Sequence, residues 1–226
     1  MILAALLGLA LLVGVPVQAL ARRKARGQDR SRTVRYLRTI TEAGVLGTAA
    51  GLIAWQRGLQ PANFGLEWPP GQAGQFGLLI AAALVGGLLA AVLLLKPTSA
   101  ALRDEKGDAI MPRTAAELRL FLLLTLVIGF AWELLYRAYL LWWLEPLVGV
   151  PAAVLLASAA YALAHGWEGW RPVLGSLVSA LLFTIGYALT RSLWWLAAIH
   201  IALPLVGLLA FRRVQAAVLN KEPARA

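Results

Sequence analysis

Cysteine is absent from the 226 residues. The chain therefore forms no disulfide, has no thiolate nucleophile and binds no zinc through sulfur, and the redox compartment is left open. Charged residues are scarce, 14% against 60% hydrophobic, and these are not the proportions of a soluble domain. Acids are the rarer sign, 11 against 21 lysines and arginines, and histidine occurs twice. There is no His-Glu-x-x-His helix, no Gly-x-Ser-x-Gly motif and no pair of aspartates in an apolar run. Zinc-helix, serine and aspartyl hydrolase chemistry are thereby set aside. No long repeat, low-complexity segment or separate soluble domain interrupts the pattern.

The sequence is instead rich in apolar runs of about 20 residues, the length that crosses a ~30 Å hydrocarbon layer as a helix. The expected fold class is all-α, a polytopic transmembrane helical bundle of about seven spans. The first run, Ile2 to Leu20, has no cation ahead of it, and a cation-rich stretch from Arg22 to Arg38 follows. That is a stop-transfer pattern, so the run reads as a retained anchor rather than a cleaved signal. Further spans are expected at about Thr39 to Trp55, Phe76 to Leu95, from Leu120 almost to Leu144, Ala152 to Ala164, Val173 to Leu189 and Leu193 to Phe211. The fourth should end at Pro146 and Gly149-Val150-Pro151, bending into the interface near Trp142 and Trp143. Those two tryptophans, with Trp167, Trp170, Trp194 and Trp195, are expected mostly as interface anchors.

The net charge of +10 gathers in short loops between apolar runs. This is the signature of orientation against anionic lipid rather than of nucleic-acid binding. It places Arg22 to Arg38, the loop Lys96 to Arg119 and the tail beyond Arg212 and Arg213 in the cytoplasm. The Arg22 to Arg38 stretch is secondarily a docking site for lipid or protein.

Ionisable residues inside apolar runs are expensive unless paired or hydrated, and so they carry information. Glu133, Arg137, His165 and His200 are the informative ones; Glu42 stands near the inner end of the second span. Glu133 and Arg137, four apart, share a helix face and can pair, whether for structure or for chemistry. His165 closes a short span, where an interfacial or capping role is the ordinary one, whereas His200 lies mid-helix. Two imidazoles and a carboxylate on three helices could converge on a wet cavity, with the carboxylate as base for a water and an imidazole steadying an oxyanion. The same trio could hold zinc, and spacing does not separate the two.

Glu133-Leu-Leu-Tyr-Arg137, Tyr161-x-x-x-His165 and a last apolar span with His200 resemble the three motifs of the type II CAAX prenyl protease and bacterial CPBP (Abi) family. Arg137-Ala-Tyr-Leu-Leu and Leu189-Thr-Arg-Ser-Leu-Trp194 fit the family's flanking segments, and the likeness covers about Leu118 to Gly207. It implies proteolysis within the membrane by a glutamate-activated water, with Glu133, Arg137, His165 and His200 as catalytic-site residues. It also implies a protease-like core at 118–213, preceded by a transmembrane region at 1–117 and followed by a cytoplasmic tail at 214–226.

Two positions depart from the family. Trp132 stands where a first glutamate is usual, and Pro204 stands four residues after His200, where Asn or Asp is usual. Either Glu133 or a substitute such as Glu168 acts as base, or the fold persists as a non-catalytic membrane binding or scaffold protein. A transporter subunit with a Glu/His proton relay is the third option, disfavoured by spans so uniformly apolar. As an enzyme the chain needs no organic cofactor, and a divalent metal is left open. Its partners are membrane lipids and a membrane-anchored peptide or protein. The abundance of Ala, Leu, Arg and Gly suggests a bacterial inner membrane.

Overall fold

The computed structural model describes residues 2–24, 31–95, 110–165 and 169–219. Glu168, Trp167, most of the loop Lys96 to Arg119, part of Arg22 to Arg38 and the end of the tail lie outside them. Among the described residues the chain is helical, with no strand. Helix α1 covers 2–24, α-helical at Ile2–Leu9 and Val15–Lys24 with a π-helical turn at Ala10–Gly14. Helices α2 (Arg32–Gln56) and α3 (Gln72–Leu94) follow, with a short 3₁₀ turn at Pro61–Phe64 between them. Helix α4 (Ala115–Glu133) opens on a capping box in which Thr114 and Glu117 each bind the other's backbone N–H. It passes through a π-helical turn at Leu134–Tyr139 into α5 (Leu140–Ala164); α6 (Trp170–Thr190) and α7 (Trp194–Leu219) complete the bundle.

Five stretches are long and apolar enough to cross a membrane: Ile2–Ala21, Gln72–Leu94, Ala115–Ala164, Trp170–Thr190 and Trp194–Val218. The chain is a multi-pass helical membrane protein. Helix α2 falls short of the same measure: Arg32, Arg35 and Arg38 occupy its first turns, and Glu42 with several Gly and Thr residues lowers the hydropathy of the rest. The 50-residue stretch Ala115–Ala164 would reach about 75 Å if straight, well beyond one bilayer. It folds back at Gly149, whose φ of 77° and ψ of 163° leave the helical region. The reversal is visible in contacts: Arg137 Cζ lies 3.8 Å from the centre of the Tyr161 ring, which a straight helix would hold about 36 Å away.

The end expected at Gly149-Val150-Pro151 is where the chain turns, but the bend into the interface near Trp142 and Trp143 is corrected. The helix runs on through Pro146 and turns only at Gly149, and both tryptophans pack inward. Trp142 meets Phe64 edge to face and Tyr139 at a tilt, and Trp143 lies so close to Gly8 of α1 that a Cβ there would come within 2.3 Å of it. Trp195 is likewise core, 7% exposed, seated against Gly77 and Gly186 with its Nε1–H donated to Thr190 Oγ1. Small residues let helices approach this closely, which matters in lipid, where the hydrophobic effect does not press helices together. Trp170 remains exposed, and Trp194 donates its Nε1–H to the Glu67 carbonyl at the loop end of the bundle.

The π turn and the start of α5 form the centre of the molecule, with every residue from Leu135 to Leu141 buried. A helix buried all round must satisfy its polar atoms internally. The hydroxyls of Tyr136 and Tyr139 do so by donating to the carbonyls of Leu11 (3.3 Å) and Ala4 (2.9 Å), which ties α1 to the core. Helix α7 passes through Pro204 without ending and continues past Arg212 and Arg213 to Leu219.

Candidate functional site

Glu133 is the last residue of α4 and Arg137 lies in the π turn that follows, both at 0% exposure. Arg137 Nε stands 3.3 Å from Glu133 Oε2, the i,i+4 pair expected from their spacing. π-Helical turns of this kind are frequent at functional positions. The other carboxylate oxygen, Oε1, lies 2.7 Å from Nδ1 of His200 on α7. With Nδ1 engaged by the carboxylate, Nε2 is the imidazole nitrogen left to meet a ligand. His200 is 18% exposed, so the pair sits at the edge of the buried core.

That contact depends on how closely α4 and α7 approach. Gly129, one turn before Glu133, faces Ile201, the residue after His200. A Cβ on Gly129 would meet Ile201 Cγ1 at 2.5 Å and Ile201 N at 3.0 Å. Only a residue without a side chain allows the two backbones so near.

The second motif meets the first through Arg137, whose guanidinium lies over the Tyr161 ring at 3.8 Å. This cation–π contact occupies the face of the group, while Nη1 and Nη2 find no hydrogen-bond acceptor among the described residues. Ser158, one turn before Tyr161 on the same helix, is also buried, and its hydroxyl has no partner among them. Tyr161 stands between the two histidines, its ring centre 4.4 Å from that of His165 and 6.5 Å from that of His200. His165 makes no direct bond to Glu133 or His200 among the contacts of the described residues; its Nδ1 is 2.9 Å from the Tyr161 carbonyl.

Of the four residues singled out by sequence, three form one buried cluster. His165 instead opens onto a cleft of about 190 Å³ lined also by Trp132, Tyr161, Thr39 and Glu42. Trp132 packs on Tyr136 with ring centres 5.7 Å apart. Glu42 carries a signal in the sequence, as an acid in an apolar span, but nothing local to α2 ties it to His165. Among the described residues no three His, Asp or Glu side chains gather closely enough to hold a metal ion.

Residues 114–206 match the family described as type II CAAX prenyl endopeptidase, Rce1-like. That segment is Rce1-like. The matched stretch contains all three motifs, and the likeness read from them is borne out. The match covers less than half of the chain and is a likeness to that family. No curated protein and no solved structure matches the chain.

Proposed function

We propose that this chain is a CPBP/CAAX-type intramembrane endopeptidase that cleaves a membrane-associated protein or peptide with a glutamate-activated water. The observation that carries this conclusion is the 2.7 Å contact of Glu133 Oε1 with His200 Nδ1 inside a bundle of membrane-crossing helices. Ionisable side chains at such depth are characteristically functional. Glu133 and Arg137 fix the ring of His200 and aim Nε2 outward. His165, with Nδ1 on the Tyr161 carbonyl, offers its own Nε2 on the other side of Tyr161.

Hydrolysis of a peptide needs a base for the water, a donor for the oxyanion and a proton for the departing amine. In this scheme the imidazoles supply the donor and the glutamate supplies the base and returns the proton. No organic cofactor enters. In this reading the substrate is a peptide held by an apolar anchor or a prenyl group, and the C-terminus lies in the cytoplasm of a bacterial inner membrane, an orientation that the cationic segments support.

The test is cleavage of two quenched-fluorescence peptides by the full chain in liposomes, one ending in a prenylated CAAX sequence and one carrying an apolar anchor. Glu133→Gln and His200→Ala should each abolish cleavage, and a wild type that cuts neither peptide overturns the proposal. One observation favours a second reading. Trp132 forms a wall of the His165 cleft, and Glu133 is fully covered, as suits a family member that binds a membrane peptide without cutting it. Such a protein would retain both peptides after either substitution.

A further inference from the structure

Glu133 is poorly placed to touch a water. It is 0% exposed, with one oxygen turned to Arg137 and the other to His200. The side of the site that opens outward is the His165 cleft. Among the described residues lining it, the acid is Glu42, half-buried on α2, and the Thr39 side chain lies one turn below on the same face. At about 190 Å³ the cleft has room for several waters, or for a peptide carbonyl and the water that attacks it. Glu42 and Val15 also line a groove of about 600 Å³ between α1 and α2, so the carboxylate stands where that groove meets the cleft.

Building on the endopeptidase proposed above, we infer that Glu42, on the cleft it shares with Trp132 and His165, is the carboxylate that activates the water. Glu42 removes one proton as the water oxygen bonds to the peptide carbonyl carbon, and the C=O π pair moves onto the carbonyl oxygen. When that pair returns, the C–N bond breaks and the nitrogen takes the proton back from Glu42. The products are a carboxylic acid and an amine, and the carboxylate is regenerated. Glu133 then acts through His200 as a positioning residue, and Glu42 is the catalytic one.

The experiment is Glu42→Gln in the full chain in liposomes, with the same two peptides. A general base contributes about 10² to 10⁴ in rate, so kcat should fall at least about 100-fold with KM little changed and the melting temperature kept. Trp132→Glu placed in the Glu42→Gln background delivers a carboxylate into the same cleft and should restore part of the lost rate. Should Glu42→Gln misfold, Glu42→Asp, which withdraws the carboxylate by one methylene, should lower kcat about 100-fold. Cleavage by Glu42→Gln or Glu42→Asp at the wild-type rate, while His200→Ala is inactive, overturns this assignment and leaves the endopeptidase standing. A wild type that cuts neither peptide overturns both.

Discussion

Oε1 of Glu133 stands 2.7 Å from Nδ1 of His200, 67 positions further along the chain. Three local features make that meeting possible. Gly129 removes the side chain that would hold α4 and α7 apart. The π turn that follows Glu133 carries Arg137 against the carboxylate, and the reversal at Gly149 returns Tyr161 beneath the guanidinium. The three motifs are thus joined in series, Glu133 to His200 on one side and Arg137 to Tyr161 and His165 on the other.

The approach at Gly129 can be tested by filling it. Gly129→Leu should separate the helices, break the Glu133–His200 contact and abolish cleavage. Gly129→Ala should destabilise the protein by about 1–3 kcal/mol through overpacking. Ile201→Ala removes the Cγ1 that the new methyl would meet, so adding it to Gly129→Ala should recover part of the loss. Thermal unfolding in detergent reads all three; an unaltered melting temperature for Gly129→Leu would show that the helices are not in close contact there.

A buried ion pair differs from a buried orphan. Removing the carboxylate alone, as in Glu133→Leu, strands the guanidinium in an apolar core and should lower stability by about 3–5 kcal/mol. Arg137→Met leaves the carboxylate with His200 alone, and the loss should be smaller. The double variant leaves neither charge and should be more stable than either single one, while remaining inactive. Double-mutant cycles on chemical unfolding, run beside the peptide assay, measure both parts. Additive losses would mean that the two side chains do not act as a pair.

The helices and the ionisable cluster were legible in the sequence because lipid makes length and charge decisive. An apolar run of bilayer length must be helical, and Glu133 with Arg137 at i,i+4 must share a face. The turn at Gly149 was legible as Gly-Val-Pro between two expected spans. Where nearly every side chain is apolar, composition cannot distinguish a residue at the interface from one packed in the core. The tryptophans were misread for the same reason. Trp143 and Trp195 fill hollows made by Gly8, Gly77 and Gly186, and those are tertiary coincidences of distant positions. Glu42 was visible as an acid in an apolar span, but the cleft it shares with His165 exists only once α1, α2, α4 and the C-terminal end of α5 come together around it.

Pro204 bears on His200 through the backbone. A proline has no N–H to give, so the carbonyl four residues earlier, that of His200, loses its helical donor although α7 continues. Pro204→Ala restores the donor and should raise stability by about 1–3 kcal/mol. Its effect on cleavage should be a change in KM or kcat of less than about tenfold, because Nδ1 of His200 stays on Glu133. Loss of all activity in a more stable Pro204→Ala protein would instead make the open helix at His200 part of the mechanism.

The absence of cysteine makes the wild-type chain its own background for labelling. Gln60, in the turn between α2 and α3, and Gln215, near the end of α7, are both exposed. Cationic residues favour the cytoplasmic side, so Arg32, Arg35 and Arg38 at the start of α2 and Arg212 and Arg213 on α7 predict Gln215 inside and Gln60 outside. A membrane-impermeant maleimide should therefore label Gln60→Cys in intact cells and Gln215→Cys only after permeabilisation. The start of α2 and the end of α5, which bear Thr39 and His165, then lie toward the cytoplasm, so a substrate would reach the cleft from that side. The opposite labelling pattern would put the His165 cleft on the outer side and would require the substrate to come from there.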